Sequence, residues 1–153
     1  MLTVLATEEG ARESSKTVRC LQLLGRNEMS TITRPPTVLL IDDEDDTRSI
    51  WGMVLELAGM NVVCAGTGEE GISAAITHRP DLIITDFMMP GIDGIEVCRR
   101  VRADERLRDV RLILWSAARG IDAKGLADLV VEKPVQIDLL LHHVRRLLDT
   151  GRY

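Results

Sequence analysis

Five residues of this sequence have the types needed for one piece of chemistry: Asp42 and Asp43, Asp86, Ser116 and Lys133. Three carboxylates brought close together repel one another and raise one another's pKa values unless a cation joins them. A hard divalent cation resolves the repulsion. Mg2+ suits the purpose, because it takes oxygen ligands, keeps several waters and is commonly shared between one or two carboxylates and a phosphate. Asp86 can then act as a nucleophile, since carboxylates form aspartyl-phosphate intermediates and an ionised one needs no general base. Phosphoryl transfer asks mainly for positioning and charge stabilisation, which Mg2+, the Lys133 ammonium and the Ser116 hydroxyl can provide around the transferred oxygens.

These residues are far apart in sequence, so a scaffold must bring them together. From Thr37 onward, short apolar runs alternate with helical patterns. The runs Val38–Ile41, Val62–Ala65, Leu82–Thr85, Leu112–Trp115 and Leu129–Val131 are β-branched and almost continuously apolar, as strands covered on both faces should be. Between them lie helical stretches over Thr47–Ala58, Glu69–Thr77 and Ile95–Ala103, and a shorter one near Ile121–Leu126. After the last strand Ile137, Leu140, Leu141, Val144, Leu147 and Leu148 recur at three- and four-residue steps, giving one apolar helical face. The pattern predicts an α/β chain of (βα)5 type, a doubly wound parallel sheet whose ligands gather beyond the carboxyl ends of the strands. The chemistry-bearing residues fall there: Asp42 and Asp43 after the first strand, Asp86 after the third, Ser116 after the fourth and Lys133-Pro134 after the fifth.

The segments Val38-Leu39-Leu40-Ile41-Asp42-Asp43-Glu44, Asp81 to Gly94, Trp115-Ser116-Ala117 and Glu132-Lys133-Pro134 resemble receiver domains of response regulators, over roughly Thr37 to Leu148. Four motifs occur in the family's order, each at a strand end. The resemblance implies a flavodoxin-like, chemotaxis-regulator-like fold with strand order 2-1-3-4-5. It implies Asp86 as phosphoacceptor, with Mg2+ held by Asp43 directly, by Asp42 through water, and by Asp86 and the backbone carbonyl of Met88. Ser116 and Lys133 would contact the phosphoryl oxygens, and the Lys133–Pro134 bond would be cis. The phosphoryl donor would be a sensor histidine kinase or a histidine phosphotransfer protein, and the domain would catalyse at most its own phosphorylation and dephosphorylation. Two positions depart from the family. Val130 stands where the family usually carries an aromatic switch residue, and the stretch from Ser116 to Lys133 is shorter than usual, so the fourth helix is expected to be stunted or irregular.

Each piece alone has a plainer reading. Asp42–Asp46 would suit a solvated helix start, where acids meet the positive end of the helix dipole, and Pro90, Gly91 and Gly94 have turn chemistry of their own. Trp51 and Trp115 read as core, and His78, His142 and His143 as surface or core residues. Asp43-Glu44-Asp45-Asp46-Thr47 also fits the D-x-D-x-T pattern of haloacid dehalogenase-type phosphohydrolases. Those enzymes, however, place another acidic motif after the lysine strand, where only Asp138 and Asp149 remain. A receiver-like module that binds partners without being phosphorylated is the other alternative, and the intact acid, hydroxyl and lysine set speaks against it.

Composition fixes the remaining expectations. A chain of 153 residues has room for one ordinary domain, and with 45% apolar but only 3% aromatic residues its core must be aliphatic. The net charge of -5 and the lack of a Lys/Arg run predict no nucleic-acid or acidic-lipid surface. Cys20, Cys64 and Cys98 have neither disulfide nor zinc spacing. With no signal peptide and no membrane-length apolar run, the expected location is cytoplasmic. Residues 1–36, closing on Pro35-Pro36, read as a flexible extension, within which Val18–Leu24 could make a helical turn and Met29 could be the true start. Residues 37–149 read as the receiver domain and 150–153 as a tail. Only 20 residues follow Lys133, so the domain is expected to act through a partner protein or as an intermediate in a phosphorelay.

Overall fold

The structure, a computed structural model, describes residues 34–150. Most of the expected N-terminal extension, including Cys20 and Val18–Leu24, and residues 151–153 of the tail lie outside the described residues. Nine elements follow in chain order: β1 (Thr37–Ile41), α1 (Asp45–Leu57), β2 (Asn61–Ala65), α2 (Gly68–His78), β3 (Leu82–Asp86), α3 (Gly94–Ala103), β4 (Arg111–Ser116), β5 (Leu129–Glu132) and α4 (Ile137–Thr150). The strands form one parallel sheet in the order β2-β1-β3-β4-β5, which bears out the expected architecture.

Alternation along each strand sends successive side chains to opposite faces. Val38, Leu40, Leu82, Ile84, Ile113, Trp115 and Val131 pack on one face with Leu55 of α1 and Leu140, Val144, Leu147 and Leu148 of α4. Leu39, Ile41, Ile83, Leu112 and Leu114 pack on the other with Ala75 of α2 and Val97, Cys98 and Val101 of α3. β3 is buried along its whole length, as a central strand covered on both faces must be. Helix starts follow local chemistry. Thr67 caps α2 by accepting from the Glu70 N–H at 3.1 Å, and Asp93 caps α3 by accepting from the Glu96 N–H at 2.8 Å.

The helix expected near Ile121–Leu126 does not form, and residues 117–128 connect β4 to β5 through turns. Three left-handed positions interrupt the connection, Gly120 at φ 68°, Lys124 at φ 51° and Gly125 at φ 71°. They leave no run long enough to recover the cost of helix nucleation. Side chains hold its far end instead. One Asp128 carboxylate oxygen accepts from the Leu112 N–H at 2.7 Å and from Arg102 Nη2 at 2.9 Å, and the other accepts from Arg111 Nη1 at 3.2 Å. Arg102, reaching over from α3, also donates to the carbonyls of Leu126 at 2.9 Å, Arg108 at 2.7 Å and Val110 at 2.6 Å.

Asp128→Ala should therefore leave the Leu112 N–H unpaired at a fully buried residue, a cost of about 1–3 kcal/mol. Urea unfolding should show this as a lower midpoint at unchanged slope. A midpoint equal to that of the unsubstituted chain would show that the network holds nothing.

Candidate functional site

The acid pair follows directly from the end of β1. The Asp42 N–H donates to the Ala65 carbonyl at 3.2 Å, extending the β1–β2 ladder by one residue. Its carboxylate then turns inward, only 1% exposed, with Oδ1 accepting from the Glu44 N–H at 2.9 Å and Oδ2 from Lys133 Nζ at 3.0 Å. Asp43, one residue on, is exposed. Arg48 in the first turn of α1 fixes this corner, because its Nη1 donates to the Asp42 carbonyl at 2.5 Å while its Nη2 pairs with Asp45. Two adjacent acids thus face different surroundings, one locked and buried, the other at the mouth of the site.

Asp86 ends β3 and is 9% exposed. A side chain at Gly94, the first residue of α3, would put its Cβ 2.3 Å from the Asp86 carbonyl oxygen and 2.9 Å from Phe87 Cα. No real Cβ makes such contacts, so the absence of a side chain lets α3 pack against the back of the acceptor residue. Ser116, fully buried at the end of β4, accepts from the Lys133 N–H through its carbonyl at 2.7 Å and from the Ala118 N–H through its hydroxyl at 2.9 Å. The Lys133–Pro134 bond is cis. Lys133 Nζ lies 3.0 Å from Asp42 Oδ2 and 3.3 Å from Asp86 Oδ1. Met88 stands in the loop after β3, 66% exposed.

Carboxylate oxygens of Asp42, Asp43 and Asp86 lie within 4.8 Å of one another. Burial raises the Asp86 pKa above the ordinary carboxylate value; the Lys133 charge pulls it back and the Asp42 charge pushes it up again. For Lys133, burial works against the ammonium, but the hydrogen bond to Asp42 and the charges of Asp86 and Asp42 outweigh it, and its pKa is raised. An all-oxygen set of crowded acids with a single ammonium among them fits a hard divalent cation of the Mg2+ type. The structure thus brings together four of the five residues singled out from sequence, Asp42, Asp43, Asp86 and Lys133, and joins Ser116, at the end of β4, to the Lys133 backbone.

Residues 38–145 match the family model described as the response regulator receiver domain. The chain belongs to that family. Among curated relatives, the transcriptional regulatory protein AfsQ1 of Streptomyces coelicolor is 41% identical over 122 residues, covering 76% of this chain and 52% of that protein. The DNA-binding dual master transcriptional regulator RpaA of Synechocystis is 36% identical over 118 residues, covering 74% and 49%. The chain spans about half the length of these relatives. Among solved structures, a response regulator of Chloroflexus aurantiacus aligns with TM-score 0.69 at 30% identity, covering 75% of this chain and 98% of that one. TrrA of Thermotoga maritima, crystallised in complex with Mg(2+)-BeF, aligns with TM-score 0.68 at 31% identity, covering 73% and 98%. The expectation that nucleic acid plays no part is qualified by RpaA, a DNA-binding regulator by name. Among the described residues of this receiver domain, no helix is long and apolar enough to cross a membrane.

Two residues that shape the site, Gly94 and Arg48, are inconspicuous in the sequence. Gly94 was a turn glycine on its chemistry alone, and its close approach to Asp86 is visible only once α3 is docked. Arg48 carried a faint signal, lying three residues after Asp45 on a helix start.

Two outcomes follow. Gly94→Ala should cost about 1–3 kcal/mol through overpacking, read as a lowered thermal midpoint; an unchanged midpoint would refute the close approach. Because the folded Asp86 pKa is raised, its ionised form subtracts stability at neutral pH. Asp86→Asn should accordingly raise the midpoint in Mg2+-free buffer at pH 7, and a lowered midpoint there would contradict the reading.

Proposed function

We propose that this receiver domain takes a phosphoryl group from a phosphohistidine donor onto Asp86 and signals through a partner protein in a two-component system or phosphorelay. The observation that carries the reading is the Asp42–Asp43–Asp86 cluster with Lys133 bridging its two buried members. An Asp86 carboxylate oxygen attacks phosphorus while the phosphorus–nitrogen bond of the donor breaks, its electron pair remaining on the imidazole. Lys133 is already paired with the attacking carboxylate and supplies positive charge where the transferred oxygens arrive. Ser116 would offer its hydroxyl to a second of those oxygens. Asp42, Asp43, Asp86 and the Met88 carbonyl would hold Mg2+, which neutralises the charge shared between the acids and the phosphoryl group. Gly94 and Arg48 hold the acceptor and the acid pair in place through the backbone.

The donor would be a sensor histidine kinase or a histidine phosphotransfer protein. Support comes from a receiver domain of a histidine kinase from Syntrophus aciditrophicus, aligned at 28% identity with TM-score 0.70. The domain acts as a signalling acceptor, with no turnover beyond its own phosphorylation and dephosphorylation, in a cytoplasmic setting.

Incubation with acetyl phosphate and Mg2+ should add one phosphoryl group that hydroxylamine removes. Asp86→Ala and removal of the metal by a chelator should each abolish the label. Equal labelling of Asp86→Ala, followed by mass spectrometry, would move the acceptor elsewhere.

A further inference from the structure

A lysine ammonium has three N–H donors, and Lys133 has carboxylates for two of them, Asp42 at 3.0 Å and Asp86 at 3.3 Å. The ring of Trp115 lies on another side of the same nitrogen, with Nζ 4.8 Å from its centroid. We propose that Trp115 is a positioning residue of the phosphotransfer site, its indole face holding the Lys133 ammonium between Asp42 and Asp86. The proposal rests on the reading of Asp86 as phosphoacceptor.

Several observations support an aromatic ring at this position over any other filler. A further carboxylate would add to the repulsion among Asp42, Asp43 and Asp86, while an aliphatic side chain would leave that side of the ammonium with no electrostatic partner. The negative face of an indole stabilises a cation without adding net charge. Trp115 is also an expensive way to fill space, because it is 2% exposed and its Nε1–H has no hydrogen-bond partner among the described residues. A leucine would occupy a core position without burying an unpaired donor.

Register explains how one residue reaches both partners. Trp115 of β4 stands opposite Asp86 of β3 on one side and Val131 of β5 on the other, two residues before Lys133. Trp51 of α1 fixes the ring from behind, at 4.9 Å between centroids and 83° between planes, the edge-to-face arrangement aromatic pairs favour. Helix α1 begins three residues after Asp42. The support therefore closes on itself, from Asp42 through α1 to Trp51, Trp115, Lys133 and back to Asp42.

The test compares the full chain with Trp115→Phe and Trp115→Leu, following the labelling rate at saturating acetyl phosphate and Mg2+ together with the thermal midpoint. Loss of the ring should slow labelling of Trp115→Leu about 3- to 30-fold, while Trp115→Phe, which keeps a weaker ring, recovers much of the rate at a similar midpoint. Equal rates in all three proteins, or a rate loss that follows the midpoint alone, would overturn the proposal. A second measurement needs no phosphorylation. In a Trp51→Phe background, where Trp115 is the sole tryptophan, Lys133→Met should change the indole emission intensity or wavelength, and an unchanged spectrum overturns the proposal. If the unsubstituted chain takes no label at all, the phosphoacceptor reading fails, and the emission comparison still decides whether Trp115 holds Lys133. Should Trp115→Leu fail to fold, the Phe variant and the emission comparison decide.

Discussion

The Lys133 ammonium, shared between Asp42 and Asp86, is the interaction on which the rest of this domain depends. Taking carboxylates out of water costs several kcal/mol each unless a counter-charge and hydrogen bonds restore what water gave. Here two carboxylates are buried at the ends of neighbouring strands, and a single ammonium serves both. β1 and β3 are adjacent, whereas β5 lies beyond β4. Lys133 must reach across the end of β4, so that end has to be low and rigid. Ser116 meets both demands, being small, fully buried and bonded through its carbonyl to the Lys133 N–H.

From that constraint the scaffold follows outward. The strands can be almost wholly apolar because every polar demand is deferred to their ends, where the backbone no longer needs partners inside the sheet. Asp86 must be held without polar groups that compete for its carboxylate, and α3 achieves this by packing its first residue, Gly94, on the Asp86 carbonyl. Asp42 must be locked while Asp43 stays open. The Glu44 N–H and the Arg48 guanidinium accomplish that by bonding the carboxylate and carbonyl of Asp42, leaving its neighbour toward solvent.

Much of this was legible in the sequence, because the signals were local. Continuous apolar runs such as Val38–Ile41 announce buried parallel strands, and all five were found within a residue of their observed bounds. Polar residues terminating such runs are conspicuous, which is how Asp42, Asp43, Asp86, Ser116 and Lys133 stood out together. What escaped was whatever depends on a distant neighbour. Nothing near Trp115 in sequence tells that its ring faces Lys133 and Trp51 instead of filling space. The Asp128 network escaped for the same reason, since Arg102, Arg111 and Leu112 become partners of one carboxylate only when α3 and β4 are in place. The missing helix was half legible, because the short span was evident but the left-handed backbone at Lys124 was not.

That missing helix changes how the site can communicate with the surface. A helix between β4 and β5 would bond its own backbone throughout. Here the near end is fastened by the Ser116 carbonyl to the Lys133 N–H and the far end by Asp128. Between them, several N–H groups lean on neighbouring side chains, as Ala118 does on Ser116 Oγ at 2.9 Å and Lys124 on Asp122 at 2.8 Å. Backbone hydrogen bonds that lie open to solvent break at lower free-energy cost than those of a buried ladder. Val130, half-buried in β5 against the same face as Ile121 and Leu126, is branched at Cβ and has one torsion with few alternative rotamers. That position therefore carries no aromatic side chain to swing. A change at Ser116 has two bonded paths to follow, outward along the backbone it shares with the connection and inward through its carbonyl to Lys133 and on to Trp115 and α1, and the inward one runs through the residue on which the two buried acids depend.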